Sequence, residues 1–209
     1  MKKNFLIAPI AILFLLIGML SAHWLTDRSG GPPETEAVIL EQPRMLPDQI
    51  LLDHHGSAWS PRRMEGQWTM VFFGFTHCPD ICPETMVIMN QVHRLIEEGG
   101  KVLPPSVVFV SVDPARDTPD RLANYVPYFN RNFLGVTGNQ QSIEELAQAM
   151  AVPLRIPDRD PSEDYEVDHG AQIILVGPEG HVRAFFTPPH QAQKIASDLE
   201  SVIAYLQRS

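Results

Sequence analysis

An apolar, aromatic-rich run, Thr69 to Phe75 (TMVFFGF), leads into two proline-flanked cysteines, Cys78-Pro79-Asp80-Ile81-Cys82-Pro83, after which the pattern changes to helical spacing. A run this short and this apolar reads as a buried strand. Pro83 suits the first turn of a helix, Met86, Met89, Val92 (or His93) and Ile96 recur on one helical face, and Gly99-Gly100 stops the pattern. A buried strand feeding a capped helix belongs to a layered α/β domain. The remaining chain repeats that alternation. Val107 to Val112 predicts a second buried strand, and Thr118-Pro119 supplies an N-cap and first-turn pair for a helix to about Tyr128. Ser142-Ile143-Glu144-Glu145 matches a capping box for a helix to about Ala151. Gln172 to Val176 predicts a third core strand, joined through the Gly177-Pro178-Glu179-Gly180 turn to Val182–Phe186. Ile195, Leu199, Val202, Ile203 and Leu206 share one face of a closing helix. Earlier, Gln49–Asp53 and Ala58–Ser60 flank a turn at His54-His55-Gly56-Ser57. The expected architecture is a mixed sheet covered on both faces, without internal repeats.

Ahead of this head lies a different kind of sequence. Phe5 to Ala22 is an uncharged stretch of 18 residues, and His23, Trp24 and Leu25 extend it. As a helix it would reach roughly the 30 Å of a hydrocarbon core, with Trp24 at the far interface. A cleaved signal peptide is the alternative, but the run exceeds the usual h-region and Leu20-Ser21-Ala22 is a poor cleavage site. The expectation is an N-terminal anchor over residues 1–25. Lys2 and Lys3 on the inner side place the rest outside, in a single-pass arrangement at a bacterial inner membrane with the C-terminal domain in the periplasm. No Arg-rich amphipathic leader precedes the run, which disfavours mitochondrial import. Thr26 to Leu46 mixes Gly, Pro and charge and reads as a flexible tether, leaving residues 47–209 as the folded domain.

The formal net charge is −9, and two of the 16 basic residues precede the apolar run, so the exported part is more acidic still. Such a body repels phosphate backbones and anionic lipid surfaces, which excludes nucleic acid as an expected partner. Only two cysteines occur, so there is no multi-disulfide scaffold and all thiol chemistry sits at one place.

Cys78 and Cys82 both fall near a helix N-terminus, where the dipole favours thiolate. Spaced four apart in a near-helical turn, they lie on one side, with Cα atoms about 6 Å apart, within disulfide reach. The same geometry can chelate a soft metal ion. Position alone leaves three chemistries open: redox exchange, metal binding and a structural disulfide, the last disfavoured by the very short loop it would close. His169 immediately precedes the strand at Gln172. If that strand runs antiparallel beside the one ending at Phe75, its leading loop brings the imidazole next to the thiols. Two thiolates with one imidazole suit Cu(I); zinc would want a fourth ligand from Asp80, His77 or water, and a blue-copper centre needs two His to one Cys.

Other residues read more plainly. His77 can tune Cys78, although an exposed loop role is the default; His54 and His55 read as turn residues; Asp80 reads as a helix-start acceptor. Asp113-Pro114 ends a strand on the cysteine edge and can shape the site, although a plain turn is the default, and the methionines of the Pro83 helix fall at core spacing.

The stretches VFFGFTHCPDICP from Val71 to Pro83, SVDPARDTPDRL from Ser111 to Leu122 and DYEVDHGAQIILVGPEG from Asp164 to Gly180 resemble the Sco/SenC family of copper-binding proteins. The resemblance runs from about Leu46 to the C-terminus, and the anchor matches it. It implies a thioredoxin-like fold, copper, as Cu(I) or Cu(II), held by Cys78, Cys82 and His169, and delivery of that copper to the dinuclear centre in the copper-bearing subunit of cytochrome c oxidase, with a periplasmic copper donor upstream. The sequence departs from the family at Gly170, commonly Ser or Thr, and at Gln67, often Lys. Neither is a ligand. The leading reading is a metallochaperone without turnover. Its rival is a thiol:disulfide oxidoreductase that reduces the oxidase subunit's cysteines, with Cys78 and Cys82 as the redox pair. A disulfide between them would abolish metal binding, so redox state would gate delivery.

Overall fold

The computed structural model describes residues 12–21, 31–157 and 160–208. Ten strands occur among them: β1 (Val38–Met45), β2 (Leu51–Asp53), β3 (Ala58–Trp59), β4 (Thr69–Gly74), β5 (Ser106–Ser111), β6 (Leu134–Thr137), β7 (Leu154–Arg155), β8 (Asp168–His169), β9 (Ile173–Val176) and β10 (His181–Phe186). The helices are α1 (residues 12–21), α2 (Ile81–Gly99), α3 (Pro119–Phe129), α4 (Gln140–Ala149) and α5 (Ala192–Leu206). Eight strands make one sheet in the order β1-β10-β9-β4-β5-β6-β2-β3, and β7 pairs with β8 in a small second sheet.

The middle of the large sheet explains the apolar runs. β4 pairs parallel with β5 and antiparallel with β9, and every residue of β4 and β9 is buried. A strand with no exposed residue has both faces covered, which is why TMVFFG shows no alternation. β10, further out, alternates half-buried and buried positions. α2 buries Met86, Met89, Val92 and Ile96, packs against α5, and ends at Gly100 in the left-handed conformation, with φ 64°. The methionines are core packing, as their spacing predicts. Thr118 caps α3 by accepting from the Arg121 N–H at 3.3 Å. This is a mixed α/β, thioredoxin-like fold.

Several expectations need correction. The flexible tether expected over 26–46 does not extend through its second half, because Val38–Met45 forms an edge strand antiparallel to β10, with a register shift between Ile39 and Arg44. Its solvent-facing residues and Pro43 are what an edge strand carries to discourage further pairing, and they hide it from a search for buried strands. Arg44 also donates to the Ala149 carbonyl at 2.9 Å, and the Glu36 N–H to Asp198 at 3.1 Å. A chain starting at Leu46 should therefore melt at least about 5 °C below one starting at Gly31, on the usual 2–4 °C per kcal/mol for this size; equal melting curves by circular dichroism would show β1 to be dispensable.

α2 starts at Ile81 rather than Pro83, and Asp80, at its N-cap, makes no side-chain cap bond, contrary to the helix-start role read for it. α4 starts two residues before Ser142, because Asn139 supplies the cap and accepts from the Ser142 N–H at 2.9 Å. β6 and the β7–β8 pair escaped notice because four and two residues carry no periodicity. His54 is in the turn but buried, its Nδ1 accepting from the Gly135 N–H at 2.8 Å.

The anchor expected over residues 1–25 falls largely outside the described residues. Residues 12–21 of its run are helical with exposed side chains, and among the described residues no helix is long and apolar enough to cross a membrane.

Candidate metal centre

The sheet order brings the two sequence-distant pieces together. Because β9 is antiparallel to β4, with Phe72 opposite Ile173, the segment entering β9 arrives where β4 releases its chain into the cysteine loop. His169 ends β8, whose partner Leu154 fixes its register. Cys82 lies in the first turn of α2, fully buried, and Cys78 is buried in the loop before it; both are free thiols.

His169 Nε2 stands 3.9 Å from Cys82 Sγ. Its Nδ1 is 3.0 Å from the Gly170 carbonyl oxygen, which can only accept, so Nδ1 carries the proton and Nε2 presents its lone pair to the sulfur. Phe72 and Phe75 meet the ring edge-on at centroid distances of 6.2 and 5.9 Å, fixing its plane. A histidine held through one nitrogen and open at the other is prepared to bind a metal ion. Burial lowers the His169 pKa from its ordinary 6.5, against the opposing pull of the Gly170 carbonyl, so the ring is neutral at pH 7.

For Cys82 the sequence expectation is reversed. The helix N-terminus favours thiolate, but burial dominates and pushes the thiol up from its ordinary 9.0, aided by neighbouring Cys78 and opposed by a backbone hydrogen bond from Phe75. The space around this sulfur is tight. A Cβ on Gly74 would lie 3.0 Å from Cys82 Sγ, 2.8 Å from the Phe109 ring and 3.0 Å from the Phe72 ring, so β4 approaches the thiol this closely only as glycine.

Cys78, Cys82 and His169 do not yet close around a point. Among the described residues the one His/Cys/Asp/Glu group of three with all ligand atoms within 4.8 Å is His77, Asp113 and Asp117. Cys78 Sγ therefore lies beyond that distance from at least one of the other two donors, and gathering all three requires side-chain rotation. The His77 group is instead internally satisfied. Asp113 is ion-paired to Arg116 and accepts from the Tyr165 hydroxyl at 2.8 Å; Asp117 accepts from the Thr76 N–H at 2.9 Å and its hydroxyl at 2.6 Å, and from the Ser111 hydroxyl at 2.7 Å. His77 is exposed on its loop, as the default reading has it, with Nδ1 3.8 Å from Asp117 Oδ1.

Asp113 is in a turn, the default reading for it, but is buried and paired with Arg116 and Tyr165; Arg116, Asp117, Tyr125 and Tyr165 were not singled out by the sequence. Arg116 and Asp117 share a charged run with Asp113, and that density was the available signal. Tyr125 has a buried hydroxyl without a hydrogen-bond partner, and its pKa is raised by burial and then by Cys82 and Cys78, which places it near the thiols. No sequence pattern marks that contact. His55 and Asp80 take no part in the cluster, and Gln67 accepts from the Ser106 hydroxyl at 2.7 Å at the other end of β4.

A donor set of two thiols and one imidazole is soft and few in number, which suits Cu(I) above harder ions. Comparison with known proteins points to the same chemistry. The chain is 33% identical over 180 residues to a Stutzerimonas stutzeri protein named for copper binding, covering 86% of this chain and 87% of that one. It is 36% identical over 149 residues to the human mitochondrial SCO1 homolog, covering 71% of this chain but spanning only 50% of that longer protein. The Arabidopsis thaliana ScoI structure with copper bound superposes with a TM-score of 0.70 at 30% identity, covering 77% of this chain and 98% of that one. The SCO1/SenC family model matches residues 40–204, which takes in the cysteine loop, the Asp113–Asp117 turn and His169, and the chain belongs to that family.

Proposed function

We propose that this protein is a copper metallochaperone, which holds one copper ion between Cys78, Cys82 and His169 and passes it to the copper-bearing subunit of cytochrome c oxidase during assembly. The observation that carries the reading is the facing pair of Cys82 Sγ and an unprotonated His169 Nε2 at 3.9 Å, with Nδ1 tied back to Gly170. Family membership supports the oxidase as recipient. The apolar run from Phe5 and the lysines before it support a membrane anchor with the head in the periplasm, reached through the segment that ends at β1.

The chain's own contribution is preparation. The imidazole needs no deprotonation at neutral pH, whereas Cys82 must release its proton as the ion enters, so uptake and proton release are linked. Release follows the reverse course: a recipient with comparable soft ligands takes the ion as Cys82 regains its proton. A disulfide between Cys78 and Cys82 would remove both sulfur donors and block loading.

The second reading, a thiol:disulfide oxidoreductase acting on the oxidase subunit, gains support from the two adjacent free thiols. Under it the attacking sulfur would be Cys78, since Cys82 is fully buried with a raised pKa. The two readings part at His169. In cells with matched protein levels, His169→Ala should block oxidase assembly as completely as Cys78→Ser if the protein delivers copper. Assembly that survives His169→Ala but not Cys78→Ser would establish the reductant instead.

A further inference from the structure

The turn between β5 and α3 touches both ligand-bearing segments through separate side chains. On one side Asp117, fully buried, holds Thr76 by its N–H and hydroxyl, two residues before Cys78, and Arg121 donates to the same hydroxyl at 2.6 Å. On the other side Arg116 donates from Nη2 to the Tyr165 carbonyl at 2.8 Å and lays its guanidinium over the Tyr165 ring, 3.5 Å from the centroid. Asp113 closes this arm by pairing with Arg116 and accepting from the Tyr165 hydroxyl. Tyr165 is four residues before His169. Arg116 also stands 5.9 Å from the Phe75 ring centroid, and Phe75 packs edge-on against His169 on its own account.

The Arg116 and Asp113 side chains are 5% and 1% exposed. A buried ion pair is a poor source of net stability, because desolvation offsets the attraction, but it defines geometry sharply. Arg116 supplies a planar fork and a stacking face together, which a lysine cannot reproduce. Both arms spring from one short turn, so the separation of the cysteine loop from the histidine segment is set there.

We infer that Arg116, Asp113 and Tyr165 form a positioning clasp that orders the segment entering β8 and so holds His169 Nε2 at Cys82. The inference rests on the three-ligand reading above. The clasp touches neither the sulfurs nor the imidazole nitrogens in any hydrogen bond of the structure; it acts through His169.

The test uses Arg116→Lys and Tyr165→Phe, which keep charge and ring, in the full-length chain with and without His169→Ala. Each should weaken Cu(I) affinity by about tenfold in the native background, as supporting residues around a ligand typically do, and by less than about twofold in the His169→Ala background, because residues acting through one group are not additive. In the metal-free protein each should also speed amide hydrogen exchange across residues 165–170 while leaving β4 and β5 protected. Equal weakening in both backgrounds, unchanged affinity in the native background, or unchanged exchange at 165–170 would overturn the clasp. His169→Ala with native copper affinity would instead overturn the ligand set, and the exchange data would still judge the clasp.

Discussion

Cys82→Ser should lower Cu(I) affinity at neutral pH by at least about a thousandfold, or ~4 kcal/mol, because a hard, poorly acidic hydroxyl replaces a thiolate at the most enclosed of the three donors. The sulfur is fully buried and 3.9 Å from His169 Nε2, so no solvent-exposed neighbour can take its place. The native protein carries a matching pH signature. Burial holds the Cys82 thiol above its ordinary 9.0, and His169 below its ordinary 6.5 is already neutral at pH 7. Apparent affinity should therefore rise with pH between about 7 and 8, by about tenfold per unit for each thiol proton released. Competition titrations at two pH values measure both effects; a flat profile, or a serine variant within tenfold of native, would contradict the assignment of Cys82.

Gly74→Val is the second large effect. Its Cβ would sit within 3.0 Å of two fully buried aromatic rings and of Cys82 Sγ, so at least one of them must shift. Overpacking of this kind costs about 1–3 kcal/mol and more where the neighbours are rigid, so unfolding in urea should shift well below the native midpoint. The folded fraction should also bind copper weakly, since the least costly relaxation displaces the thiol. A variant with native stability and native copper binding would mean that the Phe72, Phe109 and Cys82 side chains accommodate the added methyl groups without strain.

Much of this arrangement was legible in the sequence because the central elements carry strong local signals. β4, β5 and β9 are continuous apolar runs, α2 and α5 hold their apolar faces at helical spacing, and Thr118-Pro119 is a cap in both sequence and structure. The expected approach of His169 to the cysteines needed only one topological step, an antiparallel strand beside β4, and the structure contains it. What stayed hidden depends on tertiary context. β1 is an edge strand whose exposed, proline-bearing sequence looks like a linker, and only pairing with β10 makes it a strand. The Cys82 environment was misjudged because a helix dipole is visible in sequence, whereas the burial that overrides it is not. Arg116 and Tyr165 lie 49 positions apart, and nothing local announces that they meet.

The turn from Asp113 to Asp117 contacts both the loop that carries Cys78 and the segment that leads into β8. Loops move, and a ligand on one needs a fixed support. Here that support is a buried, fully hydrogen-bonded carboxylate on one arm and an ion pair stacked on tyrosine on the other.

The most direct test of the central claim, that Cys78, Cys82 and His169 hold one copper ion, is a Cu(I) competition titration of the reduced full-length chain and of its His169→Ala variant against a chromophoric chelator. The three-ligand site predicts one Cu(I) per native chain, affinity about 100-fold weaker in the variant, and equally ready disulfide formation in both proteins. Native affinity in His169→Ala, or stoichiometric Cu(I) binding by the oxidised chain, would contradict it.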